Sequence, residues 1–402
     1  MKTIKDVNFK GKKVLIRVDF NVPLNHNRQI TDDTRIKESI QTIKKVLDDG
    51  ASVILMSHLG RPKGGFEYDY SLTPLVPIIS KYLKRDVVFT RDLFGPKTFE
   101  YANALKPGQV ILLENLRFYP EEEAGDETFA KNLASLADIY INDAFATSHR
   151  NHSSVAVVPK FCKESYFGLL LEHEIVNMER ILNSTTTPFT AIIGGAKVSN
   201  KINIIENLID KVDNMIIGGG MAFTFIKALG GKVGDSLIED DKIEDAKNMV
   251  QEMMLKGVNL YLPTDAIIAN SFSNTAEFKV VSADNIPNKW MGLDIGPKSC
   301  RRFAEIINDS NKILWNGPMG VFEMSNFKQG TKAVAIAVAS ATISGAFSSV
   351  GGGDSVAAIN RYKLADQISY VSTGGGAMLE YLEGKELPGV KAIWNSKEKI
   401  SN

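Results

Sequence analysis

The strongest constraint on the fold is an alternation that runs through almost the whole chain. Short apolar runs, each closed by a polar or glycine-rich cluster, are separated by stretches with helical periodicity. The first series is Val14–Val18, Ser52–Met56, Asp86–Phe89, Val110–Leu113 and Ile139–Ile141, with helix-like stretches at Asp32–Leu47, Pro74–Leu83 and Glu127–Leu136. A second series follows Pro188: Thr190–Ile193, Met215–Ile217, Lys312–Trp315, Ser348–Val350 and Ile368–Ser372. Strands alternating with helices predict a mostly parallel sheet covered on both faces. At 402 residues the chain is too long for one ordinary core, and two domains of about 150–200 residues are expected. The fold class is therefore α/β, with two three-layer domains.

Between the two series lies GLLLEHEIVNMERILNSTTTP, Gly168–Pro188. Leu171, Ile175, Met178 and Leu182 recur at steps of four, three and four, which predicts a helix with one apolar face. Asn183 through Pro188 supplies a polar exit that ends in a breaker. The expected organisation is a first domain over 1–167, an interdomain helix and linker over 168–188, and a second domain from 189. A helix so placed is either a plain connector or the axis on which two half-sites close.

Composition removes several function classes. Formal net charge is zero, with 47 basic and 47 acidic residues, so no bulk charge draws the chain to nucleic acid or a membrane surface. The two cysteines, Cys162 and Cys300, are far apart and in no CxxC pattern. Neither a metal framework nor a disulfide framework is expected, and a reducing compartment fits. The N-terminus MKTIKDVNFKGKKVL has no apolar core of a secretory signal, and no stretch approaches the roughly 20 apolar residues of a membrane span. A cytoplasmic location is expected.

In parallel sheets ligands sit beyond the carboxyl ends of the strands, so the residues after each run carry the information. In the first half these are Asp19, Phe20 and Asn21; Ser57, His58, Leu59, Gly60 and Arg61; Glu114, Asn115 and Arg117; then Asn142, Asp143, His149 and Arg150. Arg35 opens the helix after the first loop. Eight of the twelve arginines fall in residues 1–150. Arginine suits planar, bidentate contact with carboxylate or phosphate, and several at one sheet edge would make a pocket for a small polyanion. Taken singly, each reads first as a solvated residue or the partner of an acid such as Asp143; four that all follow strands favour the pocket. His149 and His152 stand three apart, with no third ligand at a familiar metal spacing. His58 has no orienting acid at short range in its loop, which suits a hydrogen-bonding role better than a general base.

In the second half the runs end in glycine: Gly194-Gly195, Gly218-Gly219-Gly220, Asn316-Gly317-Pro318, Gly351-Gly352-Gly353 before Asp354-Ser355, and Gly374-Gly375-Gly376. Residues 152–402 hold 24 of the 32 glycines. Glycine at a strand end lets backbone N–H groups approach phosphates or a base ring, so the five clusters describe a nucleotide cradle. Neither a P-loop nor GxGxxG is present. In GGAKVSNK, Lys197 and Lys201 lie four apart and on a helix start would share a face toward phosphate, or toward solvent. Asp354 is either an N-cap or, beside a phosphate loop, a Mg²⁺ ligand. Glu323 could bind ribose hydroxyls or begin a surface turn.

An anion pocket in one half and a nucleotide cradle in the other imply a phosphoryl group passed between two ligands, stabilised by placed positive charge. No convincing catalytic base is visible, which fits a carboxylate acceptor, since a carboxylate has no proton to remove. Over essentially its full length the chain resembles the phosphoglycerate kinase family. The motifs are RVDFNVP (17–23), SHLGRP (57–62), ENLRF (114–118), NDAF..SHR (142–150), GGAKVSNK (194–201), NGPMGVFE (316–323) and GGGDS (351–355). The resemblance implies two Rossmann-like domains, with the second ending at 386 and residues 387–402 returning to the first. It implies reversible phosphoryl transfer from 1,3-bisphosphoglycerate to MgADP, giving 3-phosphoglycerate and ATP, with domain closure and a monomeric protein. Asp19, Phe20, Asn21, Arg35, His58, Leu59, Gly60, Arg61, Arg117 and Arg150 would bind the phosphoglycerate. Arg35 and Lys197 would be catalytic. Gly195, Lys197, Lys201, Gly292, Glu323 and Gly352 through Ser355 would bind the nucleotide, with Asp354 reaching Mg²⁺. Departures are Asn200, where an acid is common, and Ala146 and Asn151 around SHR. The rival classes are a closing, non-catalytic sugar-phosphate binder, commonly exported, and a dinucleotide dehydrogenase, which the missing GxGxxG disfavours.

Overall fold

The apolar runs form two parallel sheets in a computed structural model that describes residues 2–396. The first sheet contains β1 (Lys13–Val18), β2 (Ser52–Met56), β3 (Val87–Phe89), β4 (Val110–Leu112), β5 (Ile139–Asp143) and β6 (Glu164–Phe167). Their spatial order is β3-β4-β2-β1-β5-β6, and every pairing is parallel. Val14, Ile16, Val18, Val53 and Leu55 pack with Ile36, Ile40 and Ile43 of the helix Thr34–Asp48 in one buried cluster. Leu15 and Ile54, which alternation turns to the other face, are also fully buried. Burial on both faces is why these strands read as continuous apolar runs.

The second half contains β7 (Phe189–Ile193), β8 (Asn214–Ile217), β9 (Lys232–Val233), β10 (Asn259–Tyr261), β11 (Asp265–Ala269), β12 (Phe278–Ser282), β13 (Asn285–Ile286), β14 (Met291–Ile295), β15 (Lys312–Asn316), β16 (Phe347–Gly351) and β17 (Tyr370–Val371). The main sheet runs β10-β8-β7-β15-β16-β17, again with parallel pairings throughout. β11 pairs antiparallel with β12 and β14, and β9 pairs with β13. Numbered within its own half, this main sheet has the 3-2-1-4-5-6 order of the Rossmann fold.

Contacts divide the chain into two compact units. One runs to Val176 and resumes at Glu386; the other is Asn177–Lys385. The division falls inside the helix Leu169–Asn183. Leu171, Ile175 and Met178 are fully buried, and Ile181, not Leu182, continues the buried face. A step of three from Met178 keeps a straight helix on the same side. In the first unit, Asp143 Oδ1 accepts from the backbone N–H groups of Leu170 at 3.0 Å and Leu171 at 3.4 Å. Asp143 therefore ties the end of β5 to the start of this helix. In the same unit the helix Pro388–Asn395 places Trp394 edge-on to Phe167, with ring centroids 6.1 Å apart. The Gly389 N–H donates to the Ser148 carbonyl at 2.9 Å. Lys397–Asn402, the remainder of the segment expected to return, lie outside the described residues. Among the described residues no helix is long and apolar enough to cross a membrane.

Candidate active site

In each sheet one adjacent pair of strands marks the point where the strand order reverses: β1 with β5, and β7 with β15. Crevices for ligands form there, beyond the carboxyl ends. In the first unit the loops after β4, β2, β1 and β5 leave neighbouring strands, and those after β4, β2 and β1 cross-link one another. Phe20 N–H donates to Ser57 Oγ at 2.9 Å, and Gly60 N–H to Asn21 Oδ1 at 2.9 Å. Asn115 holds Leu59 through two bonds of 3.2 and 2.8 Å. Arg117 reaches the Gly60 carbonyl at 2.6 Å. Arg35 pairs with Asp19. These contacts join Asp19, Phe20, Asn21, Arg35, Leu59, Gly60 and Arg117 into one patch.

His58 is 4% exposed. Burial pushes its pKa well below the ordinary imidazole value, and the charges of Arg17, Arg117, Arg150 and Arg35 push the same way. Its Nδ1 lies 3.9 Å from Asp19 Oδ1, beyond hydrogen-bonding range. Arg117 is 7% exposed, and its Nε stands 3.3 Å from Glu123. Arg150 Nε contacts His149 Nε2 at 3.3 Å. Arg61 is exposed. Asp143, a candidate partner for the arginines, is instead occupied with the helix Leu169–Asn183.

Two residues of this edge carried no sequence assignment. Arg17, at the end of β1, is 1% exposed, with Nη2 3.1 Å from His58 Nδ1. Glu122 is fully buried and accepts from Ser154 through both its oxygens. Arg17 stands in a recognised motif, and charge inside an apolar run was the available signal. Glu122, in a run of three glutamates, has none.

In the second unit the glycine clusters after β7, β8 and β15 interlock. Gly194 N–H donates to the Asn316 carbonyl at 2.9 Å, Gly195 to Pro318 at 3.0 Å and Gly219 to Met319 at 3.2 Å. Gly317 has φ +103° and packs so closely on Gly194 that a Cβ on either would strike the other's loop. Beside these loops opens a cavity of about 750 Å³. Gly195, Gly292, Glu323 and Asp354 line it; so do Phe223, Leu237, Phe272, Met291 and Met324. This apolar wall escaped sequence reading because its members come from separate segments without a shared period. Leu237 and Phe272 are 49% and 63% exposed and give the cavity an apolar side open to solvent.

Lys201 donates to Asn316 Oδ1, and Asn316 Nδ2 donates onward to the Gly351 carbonyl at 2.9 Å. Burial lowers the Lys201 pKa, opposed by the carboxylates of Asp354 and Glu383. The helix Gly353–Arg361 has Gly352, with φ +88°, as its N-cap, so Asp354 stands inside the first turn and is not the cap. Ser355 Oγ accepts from Gly317 N–H at 2.6 Å, tying that helix start to the loop after β15. Gly353 and Asp354 are exposed.

One local expectation fails. GGAKVSNK does not start a helix; the helix is Ile202–Ile209, and Lys197 and Lys201 both precede it. Glu239 accepts from Ser199 through N–H and Oγ at 3.0 and 2.6 Å and holds the segment in a turn. Lys197 is exposed while Lys201 is half-buried, so the two do not share a helical face.

A family model described as phosphoglycerate kinase matches residues 4–385. The chain belongs to the phosphoglycerate kinase family. A phosphoglycerate kinase of Porphyromonas gingivalis is 50% identical, over 97% of this chain and 99% of that protein. The structure of phosphoglycerate kinase from Coxiella burnetii aligns with TM-score 0.90 at 42% identity, covering 98% of this chain and 99% of that one. That from Pyrococcus horikoshii aligns with TM-score 0.83 at 31% identity, covering 99% and 100%. The family reaction is phosphoryl transfer between 1,3-bisphosphoglycerate and ADP in glycolysis, and it is the reaction of this chain.

Proposed function

We propose that the patch beyond β1, β2, β4 and β5 binds phosphoglycerate and that the cavity of the second unit binds ADP or ATP. The observation that carries this is the different chemistry of the two sheet edges: clustered arginines on one, glycine loops with an apolar wall on the other. Asp19, Phe20, Asn21, Arg35, His58, Leu59, Gly60, Arg61, Arg117 and Arg150 serve the phosphoglycerate. Gly195, Lys197, Lys201, Gly292, Glu323, Gly352, Gly353, Asp354 and Ser355 serve the nucleotide, whose base rests on the apolar wall. First-turn N–H groups of the helix Gly353–Arg361 face its phosphates.

An oxygen of the ADP β-phosphate attacks the phosphorus of the acyl phosphate. The bond from that phosphorus to the acyl oxygen breaks, and the carboxylate of 3-phosphoglycerate leaves. No proton moves, so no general base is required. Arg35 and Lys197 stabilise the charge spread over the transferring group. Because the ligands belong to different units, turnover requires a closing step that brings them into reach.

Among the described residues no group of three or more His, Cys, Asp or Glu could hold a metal. That suits Mg²⁺ bound through one carboxylate plus phosphate oxygens and water. Asp354, exposed at the cavity and making no cap, is the residue to hold it. Bound there, Mg²⁺ neutralises phosphate charge. The protein works as a cytoplasmic monomer on these small molecules, without nucleic acid.

The test supplies MgATP and 3-phosphoglycerate and follows 1,3-bisphosphoglycerate through an NADH-consuming dehydrogenase. Folded wild type turns over, and Asp354→Asn requires more Mg²⁺ for half-maximal rate. An unchanged Mg²⁺ dependence removes Asp354 from the role.

A further inference from the structure

We propose that Arg17 is a positioning residue that holds His58 as the neutral Nε2–H tautomer, with Glu122 as the buried counter-charge of Arg17. The proposal rests on placing His58 in the phosphoglycerate patch, and it assigns the side chains behind that patch a task.

Each of the three guanidinium nitrogens of Arg17 has a partner. Nε donates to Ser154 Oγ at 2.9 Å, Nη1 to the Val18 carbonyl, and Nη2 lies 3.1 Å from His58 Nδ1. A guanidinium has only donors and stays protonated in proteins. Nδ1 of His58 must therefore accept, and the ring proton sits on Nε2. Burial and the surrounding charge agree with a neutral ring. Arg17 and Asp19 face it from the end of β1, Arg35 from the helix Thr34–Asp48, and Arg117 and Arg150 from the loops after β4 and β5. The ring's one lone pair is engaged by Arg17 and its one N–H is left for a ligand. His58 thus acts as a donor to an anionic or hydroxyl oxygen, not as a base.

The hydrogen-bond chain continues back from Arg17 through Ser154. Its hydroxyl accepts from Arg17, so its proton goes to Glu122 Oε1 at 2.5 Å, while Ser154 N–H donates to Oε2 at 2.9 Å. Both carboxyl oxygens accept, which suits an ionised Glu122 facing the Arg17 charge. Burial raises the Glu122 pKa, and Arg17 and Ser154 work against that rise. Tyr140 donates to the Ser154 carbonyl at 2.8 Å and fixes the link from behind. His152 Nδ1 stands 3.9 Å from Glu122 Oε1, and burial takes its pKa down to about 3, so it brings no second positive charge. A charged Arg17 without Glu122 would be a buried, uncompensated ion, which proteins rarely tolerate.

The experiment is ¹H–¹⁵N long-range correlation NMR of the imidazoles in full-length protein, with the His58 signals identified by their loss in His58→Asn. The expected spectrum has Nδ1 unprotonated and Nε2 protonated, unchanged between about pH 5.5 and 8. Arg17→Met frees Nδ1, so the other tautomer appears, the ring begins to titrate, and KM for 3-phosphoglycerate rises more than KM for ATP. Ser154→Ala, which removes no charge, keeps the test open if Arg17→Met does not fold; it gives the same change in smaller measure. A protonated Nδ1 in wild type, or an unaltered tautomer in both folded variants, overturns the proposal. If the tautomer is as stated but saturating 3-phosphoglycerate moves no His58 signal, the substrate assignment fails and the tautomer assignment stands.

Discussion

Arg35 has a counter-ion, Asp19, before any substrate arrives. A pre-placed guanidinium loses little side-chain freedom when a phosphoryl group replaces or shares its partner, so its energy is available to the transition state. Lys197 is exposed, and in the proposed reaction it serves the same charge from the second unit. Arg35→Ala and Lys197→Ala should each lower kcat by about 100-fold or more, while KM for either substrate changes little. Steady-state rates in the coupled assay decide this; a change confined to KM would remove the catalytic role. The candidate patch and cavity were legible where chemistry concentrates in motifs, as with Arg117 and Asp354. It was not legible for Glu122, whose role depends on Ser154 32 positions away. Nor was it for Phe272, whose exposure is a property of the fold.

At the start of the helix Leu169–Asn183 the Thr42 hydroxyl takes the Leu169 N–H and the Asp143 carboxyl the next two. Asp143 is fully buried, and burial lifts its pKa to about 7, opposed by the Thr42 hydroxyl and the N–H groups of Leu171 and Leu170, and aided by Glu38. From its ordinary value near 3.8 up to about 7, the folded protein therefore holds one proton more than the unfolded chain. Stability from this group is complete below the unfolded value, falls as pH rises through the window and is level above it. Asp294, also lifted to about 7, slopes the same way. His152, lowered to about 3, slopes oppositely, gaining stability as pH rises toward 6.5. Asp143→Asn keeps an oxygen for Leu170 and does not titrate, so comparison with wild type isolates this one group. Urea unfolding should favour the variant by a few kcal/mol more at about pH 8 than at about pH 5. A pH-independent difference would rule out the buried ionisation. At this scale most strands were legible because burial on both faces makes a continuous apolar run. In the two main sheets β6 and β10 were not, being short edge strands with few apolar residues, and β9, β11, β12, β13 and β14, outside those sheets, were not read either. GGAKVSNK was misread because Ser199 found a side-chain partner, Glu239, 40 positions away.

Over the whole molecule, the arginine patch lies in one unit and the cavity proposed for the nucleotide in the other, and the division between the units falls inside the helix Leu169–Asn183. Damage to that helix should therefore separate binding from turnover. Val176 is the sharpest place to apply it, being 45% exposed and the last residue before the division. Val176→Pro empties no core, but it removes an N–H from mid-helix and sets the ring against the Glu172 carbonyl, a local cost of about 3 kcal/mol or more. Calorimetry should find 3-phosphoglycerate and MgADP each bound nearly as in wild type, because neither set of contacts includes Val176. With the closing step proposed to depend on this helix, the coupled assay should find kcat reduced roughly tenfold or more. Circular dichroism and a melt confirm that both units remain folded. Loss of nucleotide binding alone, with kcat kept at saturation, would make the helix a scaffold and move the closing step elsewhere in the chain.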